Sequence, residues 1–385
     1  MTGHTVDFSL SEEQILLRDS VDKYVREECT VERHRQLGKS DSGFDPAAWQ
    51  TFAELGWLCV PFSEELGGFG GRASDMMVIA EALGKGLVRE PFLHTVVTCG
   101  CFLQQGGTAD QQQRYIPEII EGNAQWAFAF AEQSSGYDLA RVEASARSEE
   151  GGYVLSGRKL SVLNAHCADY LIISARTQGD INDRDGLSLF IVKTSAAGLT
   201  RENFVAVDGS RGAHVELDGV EVSAEQLLGE KNRGFELIES VVDNVIVALG
   251  AEAVGAMQTL LDATVEYTKT REQFGQSISK FQALQHRMAD MYLKVEEARA
   301  LLLNAAIQIE QGSDEAPSAA AALKVKVSEA GRYVAQEAVQ LHGGIGMTDE
   351  LIVGHLYKRL MVLSRLYGDE SWYLQRFSAL NSAAA

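Results

Sequence analysis

Two strings in the C-terminal half carry the residue types needed to hold a phosphorylated ligand. The first runs Tyr267-Thr268-Lys269-Thr270-Arg271-Glu272-Gln273-Phe274-Gly275, continues through Ile278, Phe281 and Gln282, and ends in His286-Arg287-Met288-Ala289-Asp290-Met291. The second is Gln340-Leu341-His342-Gly343-Gly344-Ile345-Gly346-Met347, with Glu350 and the pair Lys358-Arg359 downstream. The pyrophosphate of a dinucleotide needs a cation with planar donors and a backbone that can approach closely, which Arg271 and the Gly343-Gly344 turn could supply. Gln273 and Gln340 add amide donors. The bland alternative stays open on these residues alone: Arg271 as a surface helix residue, Gly343 as an ordinary helix terminator.

Composition narrows the ligand. With 34 Lys and Arg against 54 Asp and Glu, the formal charge of −20 repels a polyanionic duplex. Nucleic acid is therefore not an expected partner. No basic run exceeds a pair, so phosphates would be met by isolated side chains and backbone amides. The five cysteines, Cys29, Cys59, Cys99, Cys101 and Cys167, show no CxxC or His-rich spacing, so neither a structural zinc nor a disulfide framework is expected. Cys99 and Cys101 sit in an apolar stretch and read as small buried hydrophobes. Met1-Thr2-Gly3-His4 opens the chain without a basic region leading into an apolar one, and no apolar run is long enough to span a bilayer. A cytoplasmic protein is the expectation, with no membrane partner.

The 385 residues, 45% of them hydrophobic, suffice for two or three domains. Residues 1–123 read as helices. Ser11-Glu12-Glu13-Gln14 spells a capping box, Pro46 to Leu55 and Ala73 to Leu83 are helical, and the glycine run Glu65 to Gly71 is a tight interhelical turn rather than a phosphate loop, since no βαβ unit surrounds it. Across 124–233 the period falls to two, with short runs at Tyr153 to Leu155, Tyr170 to Ile173 and Leu187 to Val192, arguing for antiparallel pairing in a small β-domain. In 234–385 helix returns at Phe235 to Arg271, Phe281 to Gly312, Ala316 to Leu341 and His355 to Ser378, which predicts an antiparallel four-helix bundle. The fold class is α+β.

The two strings together resemble the acyl-CoA dehydrogenase family. The segment from Asp218-Gly219-Val220 to Leu228-Gly229 and the Pro61 to Gly71 turn resemble it too, so the likeness spans nearly the whole chain. It implies an N-terminal helical domain, a middle β-domain and a C-terminal bundle. It also implies FAD, held by Arg271, Gln273, Phe274, Gln282, Gln340, Gly343 and Gly344 toward a flavin lying in the neighbouring subunit, and hence an oligomer. The activity implied is α,β-dehydrogenation of an acyl-CoA to a trans-2-enoyl-CoA, with an electron-transfer flavoprotein as acceptor.

Such chemistry requires a carboxylate to remove the α-proton. Where the family commonly has Tyr-Glu-Gly-Thr, this chain reads Tyr367-Gly368-Asp369-Glu370, and the other position used in the family falls on Val245. Asp369 is the candidate base, since desolvation beside a flavin would raise its pKa. It is equally a candidate N-cap for a helix through Trp372, Tyr373, Leu374 and Phe377. Further departures are Ala131 for a threonine, Ser161-Val162-Leu163 for Trp-Ile-Thr, and Ile246 for an arginine. This combination resembles the small subunit of pimeloyl-CoA dehydrogenases and actinobacterial steroid side-chain acyl-CoA dehydrogenases, commonly half of a two-gene heterotetramer. The implied substrate is a bulky steroid side-chain or dicarboxylic acyl-CoA. A non-catalytic subunit completing a partner's FAD site, and an acyl-CoA oxidase or flavin monooxygenase on the same fold, are the alternatives.

Overall fold

The computed structural model describes residues 10–383, so the Met1 to His4 stretch lies outside the described residues. The capping box closes as spelled: the Gln14 amide donates to Ser11 Oγ at 3.1 Å and the Ser11 amide to the Gln14 side chain at 3.1 Å. Behind it run α1 (Glu12–Glu28), α2 (Val31–Leu37), α3 (Pro46–Glu54) and α4 (Ala73–Gly84). A π-helical stretch (Leu93–Cys99) leads into α5 (Gly100–Gly106), and α6 (Ala109–Ile120) follows. The glycine run before α4 is packed architecture. A Cβ at Gly68 would stand 2.0 Å from the Phe62 carbonyl oxygen, so glycine is demanded there by backbone approach.

Strands β1 (Trp126–Ala129), β2 (Ser145–Glu149), β3 (Gly152–Leu163), β4 (Tyr170–Arg176), β5 (Leu187–Lys193), β6 (Leu199–Val205), β7 (Arg211–Ser223) and β8 (Leu227–Leu228) form one sheet. Its order is β6-β7-β3-β2-β4-β5-β8, with β1 paired to β4. Most neighbours are antiparallel, as the spacing predicts, but β1 runs parallel to β4, from Trp126 opposite Tyr170 to Ala129 opposite Ile173. The chain makes the β2–β3 hairpin between them, and so long a connection frees the pair from hairpin geometry.

The C-terminal region comprises α7 (Gly234–Thr270), the two-residue strands β9 (Glu272–Gln273) and β10 (Gln276–Ser277), α8 (Gln282–Glu310), α9 (Ala316–His342), α10 (Ile352–Leu363) and α11 (Glu370–Ala383). Helix α7 is apolar nearly all round because α4, α8 and α9 all pack on it. The single helix expected from His355 to Ser378 is broken in two. Tyr367 at φ 59° and Gly368 at φ 134° leave helical space, and Asp369 starts a new helix. Among the described residues no helix is long and apolar enough to cross a membrane.

Candidate active site

Helix α7 ends where Arg271 turns to extended backbone, and a tight hairpin follows with Gln273 opposite Gln276. Its tip is Phe274-Gly275, both at positive φ (55° and 78°), the geometry of a two-residue turn. Phe274 is 90% exposed, with Phe281 edge-on to its ring at 6.0 Å, a large apolar surface to leave in water. Arg271, Gln273, Gln282 and Gln340 are exposed as well, and their side chains bond to no partner among the described residues. Helix α9 ends at Gly343, φ 64° and ψ −144°, a conformation suited to glycine. A Cβ on Gly343 or Gly344 would meet nothing within 4 Å, so both backbones are open to an incoming group.

Tyr267 stacks on His342, ring centroids 4.5 Å apart, fastening the two helix ends together. The strings separated by some seventy residues of sequence thus form one outward-facing edge, flanked by exposed Ile345 and Met347. An array of free planar donors, open glycine backbone and uncovered apolar surface fits an anionic, aromatic ligand supplied from outside the chain.

Away from that edge, aromatic rings gather where the end of β1 meets the α10–α11 turn. Phe130 stacks on Phe128 (5.1 Å) and on Tyr367 (5.4 Å, 14° between planes), while Tyr137 lies 6.4 Å from Trp372. Burial, together with nearby Cys99, raises the Tyr367 phenol pKa, though a hydrogen bond with Thr98 opposes it. Behind Phe130, Glu132 accepts from Lys159 Nζ at 2.7 Å and from the amides of Glu143 and Ala144 at 2.6 and 3.1 Å. Lys159 also donates to the Phe130 carbonyl at 3.2 Å, and burial pulls its pKa down to about 8 against the opposing pull of Glu132. The strand end carrying Phe130 is therefore clamped. Val245 and Ile246 are both fully buried, which leaves no acid at the helical position.

Tyr367 and Trp372 form one wall of a cleft of about 820 Å³, whose other walls include Phe235, Asp243 and Arg376. Arg376 makes a bidentate pair with Asp243 at 2.6 and 3.1 Å. Burial still outweighs the guanidinium and raises the Asp243 carboxyl pKa. Asp369 faces elsewhere. Its Oδ1 accepts from the Trp372 amide at 3.0 Å, its Oδ2 pairs with Arg365 at 2.9 Å, and it lines a separate hollow with Ser328 and Ser364. Beneath it Lys324, fully buried, donates to the Leu363 carbonyl at 2.5 Å. Neither Asp243 nor Arg376 belongs to a motif that the sequence analysis singles out. Their 133-residue separation hides the pair, and nothing short of the fold reveals it.

The sequence matches the family described as acyl-CoA dehydrogenase in all three of its parts: the N-terminal domain over residues 11–123, the middle domain over 127–220 and the C-terminal domain over 232–374. This chain belongs to the acyl-CoA dehydrogenase family. It is 32% identical to the probable acyl-CoA dehydrogenase YngJ of Bacillus subtilis over 350 residues, covering 90% of this chain and 91% of that one. Among solved structures it resembles the steroid ACAD Tcur3481-Tcur3483 (29% identity, TM-score 0.88, 98% and 100% of the two chains). It also resembles the FAD complex of PigA (26% identity, TM-score 0.90, 99% and 100%). The enzyme class is acyl-CoA dehydrogenase and the cofactor is FAD. The edge of Arg271, Gln273, Phe274 and the Gly343-Gly344 turn fits that cofactor.

Proposed function

We propose that this chain is one subunit of a heteromeric acyl-CoA dehydrogenase, and that its main contribution is the edge it gives to the FAD site of an adjoining chain. Bound FAD supplies the two-electron acceptor for the hydride leaving the β-carbon of the acyl thioester. Arg271 contributes charge and planar donors to the pyrophosphate, Gln273, Gln282 and Gln340 contribute amide donors, and Gly343 and Gly344 admit close approach. Phe274 covers an aromatic face.

The observation that carries this reading is the contrast within one chain. The outward edge is free and unpaired, while the inward face is filled by the Phe130–Tyr367 stack and lacks an acid at both Val245 and Gly368. A partner that brings the base would complete the reaction. The relative whose name joins two components and the word steroid supports both a hetero-oligomer and a bulky acyl group. An electron-transfer flavoprotein is the acceptor this reading implies.

In a second reading Asp369 is the chain's own base, favoured by its place two residues after Tyr367 on the turn. Its carboxylate would then have to exchange both the Trp372 amide and Arg365 for substrate. The visible spectrum of the chain purified alone separates the two. A colourless chain that supports flavin binding only when its partner is added is the expected result; a stoichiometric flavin bleached by acyl-CoA in the lone chain would overturn the first reading.

A further inference from the structure

The aromatic rings behind the cleft form a continuous column. Phe102 of α5 lies 4.5 Å from Phe128, Phe128 lies 5.1 Å from Phe130, and Phe130 lies 5.4 Å from Tyr367, the last two pairs within 24° of parallel. Phe102 and Phe128 are buried, so the column runs from the N-terminal core to the turn between α10 and α11. Its last ring, Tyr367, stands with Tyr373 on the buried side of the 820 Å³ cleft, whereas Phe130 does not line the cleft. Phe130 therefore backs Tyr367 from behind.

Neither ring is free to move aside. The Phe130 carbonyl accepts from Lys159 at 3.2 Å and the Ala131 carbonyl from the Leu160 amide at 2.8 Å, which ties this end of the strand to β3. Thr98 spends its own hydroxyl proton on the Leu93 carbonyl at 2.8 Å, so it accepts from the Tyr367 phenol. Beyond Tyr367 the chain has no room to shift: a Cβ on Gly368 would stand 2.6 Å from the Tyr373 ring and 2.7 Å from Trp372. A stack held at both ends is filled space, and an interior packed this way does not admit a further group without losing one. An apolar chain that enters the cleft and leaves water must do so toward its buried side, and the column already occupies that side.

We propose that Phe130 is a specificity-determining residue: its ring holds Tyr367 across the buried side of the cleft, so that this chain accepts the CoA end of a thioester and shuts out the acyl end. The proposal rests on the dehydrogenase reading above, which supplies the thioester. It makes the chain's own cleft a carrier site without an acyl pocket, and it places that loss on one side chain.

The test titrates the full chain, purified alone, with CoA, butyryl-CoA and hexanoyl-CoA in a calorimeter. The wild type is expected to bind all three within about twofold of one another, since no methylene is buried. In Phe130→Ala the two further methylenes of hexanoyl-CoA, each worth roughly fourfold when moved from water into an apolar pocket, should tighten it over butyryl-CoA by about tenfold. Phe102→Ala opens the far end of the column and should leave the ligands equal. Affinity that rises with chain length in the wild type, an equal rise in both variants, no rise in either, or no binding of CoA by the wild type would each overturn the proposal. The subunit reading is judged by flavin instead: a lone wild-type chain with stoichiometric flavin that bleaches with hexanoyl-CoA overturns both, whereas flavin taken up only with the partner leaves that reading standing whatever the thioesters do. If Phe130→Ala fails to fold, Phe130→Val carries the same test with a smaller rise, and the wild-type series decides on its own.

Discussion

The outward edge at the ends of α7 and α9 and the inward face around Tyr367 are built from the same kinds of residue under opposite rules. At the edge Phe274 is 90% exposed and the Arg271 side chain has no partner among the described residues, whereas inside, Tyr367 lies between Phe130 and Thr98 and Arg376 is locked to Asp243. Unsatisfied polar groups and bare aromatics are tolerated where another molecule will satisfy them and are costly where none will. The difference teaches where this chain gives and where it keeps. Removing an inward group should cost stability; removing an outward one should cost cofactor.

The largest effect is expected on the inward side. Arg376→Ala leaves Asp243 buried without its bidentate partner, and breaking such a pair costs about 3–5 kcal/mol. Urea unfolding should show it as a fall in midpoint at unchanged slope. A variant as stable as the parent would mean that the cleft already admits water to Asp243, and the inward face would no longer count as closed.

Arg271→Ala should do the reverse. The chain's own unfolding should stay within about 0.5 kcal/mol, as for an exposed residue. The assembled enzyme should lose FAD, because one charged hydrogen bond is worth about 1.5–3 kcal/mol, roughly ten- to a hundredfold in affinity. The ratio of flavin to protein absorbance after gel filtration measures it. Full flavin retention would place the cofactor elsewhere and dissolve the contrast.

The outward edge was the more legible of the two regions. Arg271, Gln273, Gln340 and Gly343-Gly344 sit in two short strings, and local spacing with positive-φ glycine is information a sequence carries openly. The end of α9 beside them was nearly as clear, because a terminating glycine acts within a few residues. The inward region was opaque for the opposite reason. Phe130 and Tyr367, or Asp243 and Arg376, meet only through tertiary packing across more than a hundred residues. The parallel β1–β4 pairing and the break at Tyr367-Gly368 escaped for the same cause: each depends on what the chain packs against, while helical periodicity runs on past the turn.

A titration sharpens the inward side. Burial lowers the Lys324 pKa to about 7, although Asp369 pulls it up. Because the folded pKa lies below the unfolded value of about 10.4, the unfolded chain binds more protons between those two values. Stability contributed by this site therefore rises as pH goes from about 7 toward about 10. Lys324→Met, which keeps the volume and removes the proton site, should flatten the part of the stability–pH slope that Lys324 supplies; Lys159, lowered to about 8, keeps its own share. An unchanged slope in the variant would mean that Lys324 is not desolvated as its surroundings require.

The smallest effect decides the most. Asp369 holds the Trp372 amide and Arg365, and asparagine caps a helix about as well as aspartate. Asp369→Asn should therefore leave stability nearly unchanged, while Asp369→Ala should cost about 1 kcal/mol. Turnover of the assembled enzyme should survive Asp369→Asn, because an amide serves the cap and a base on the partner serves the reaction. A residue that removes the α-proton would instead lose roughly 10²- to 10⁴-fold in kcat with the fold intact. That outcome would move Asp369 from the structural side of the turn to the chemical one, and the inward face would have to be read as a working site whose rings part to admit substrate.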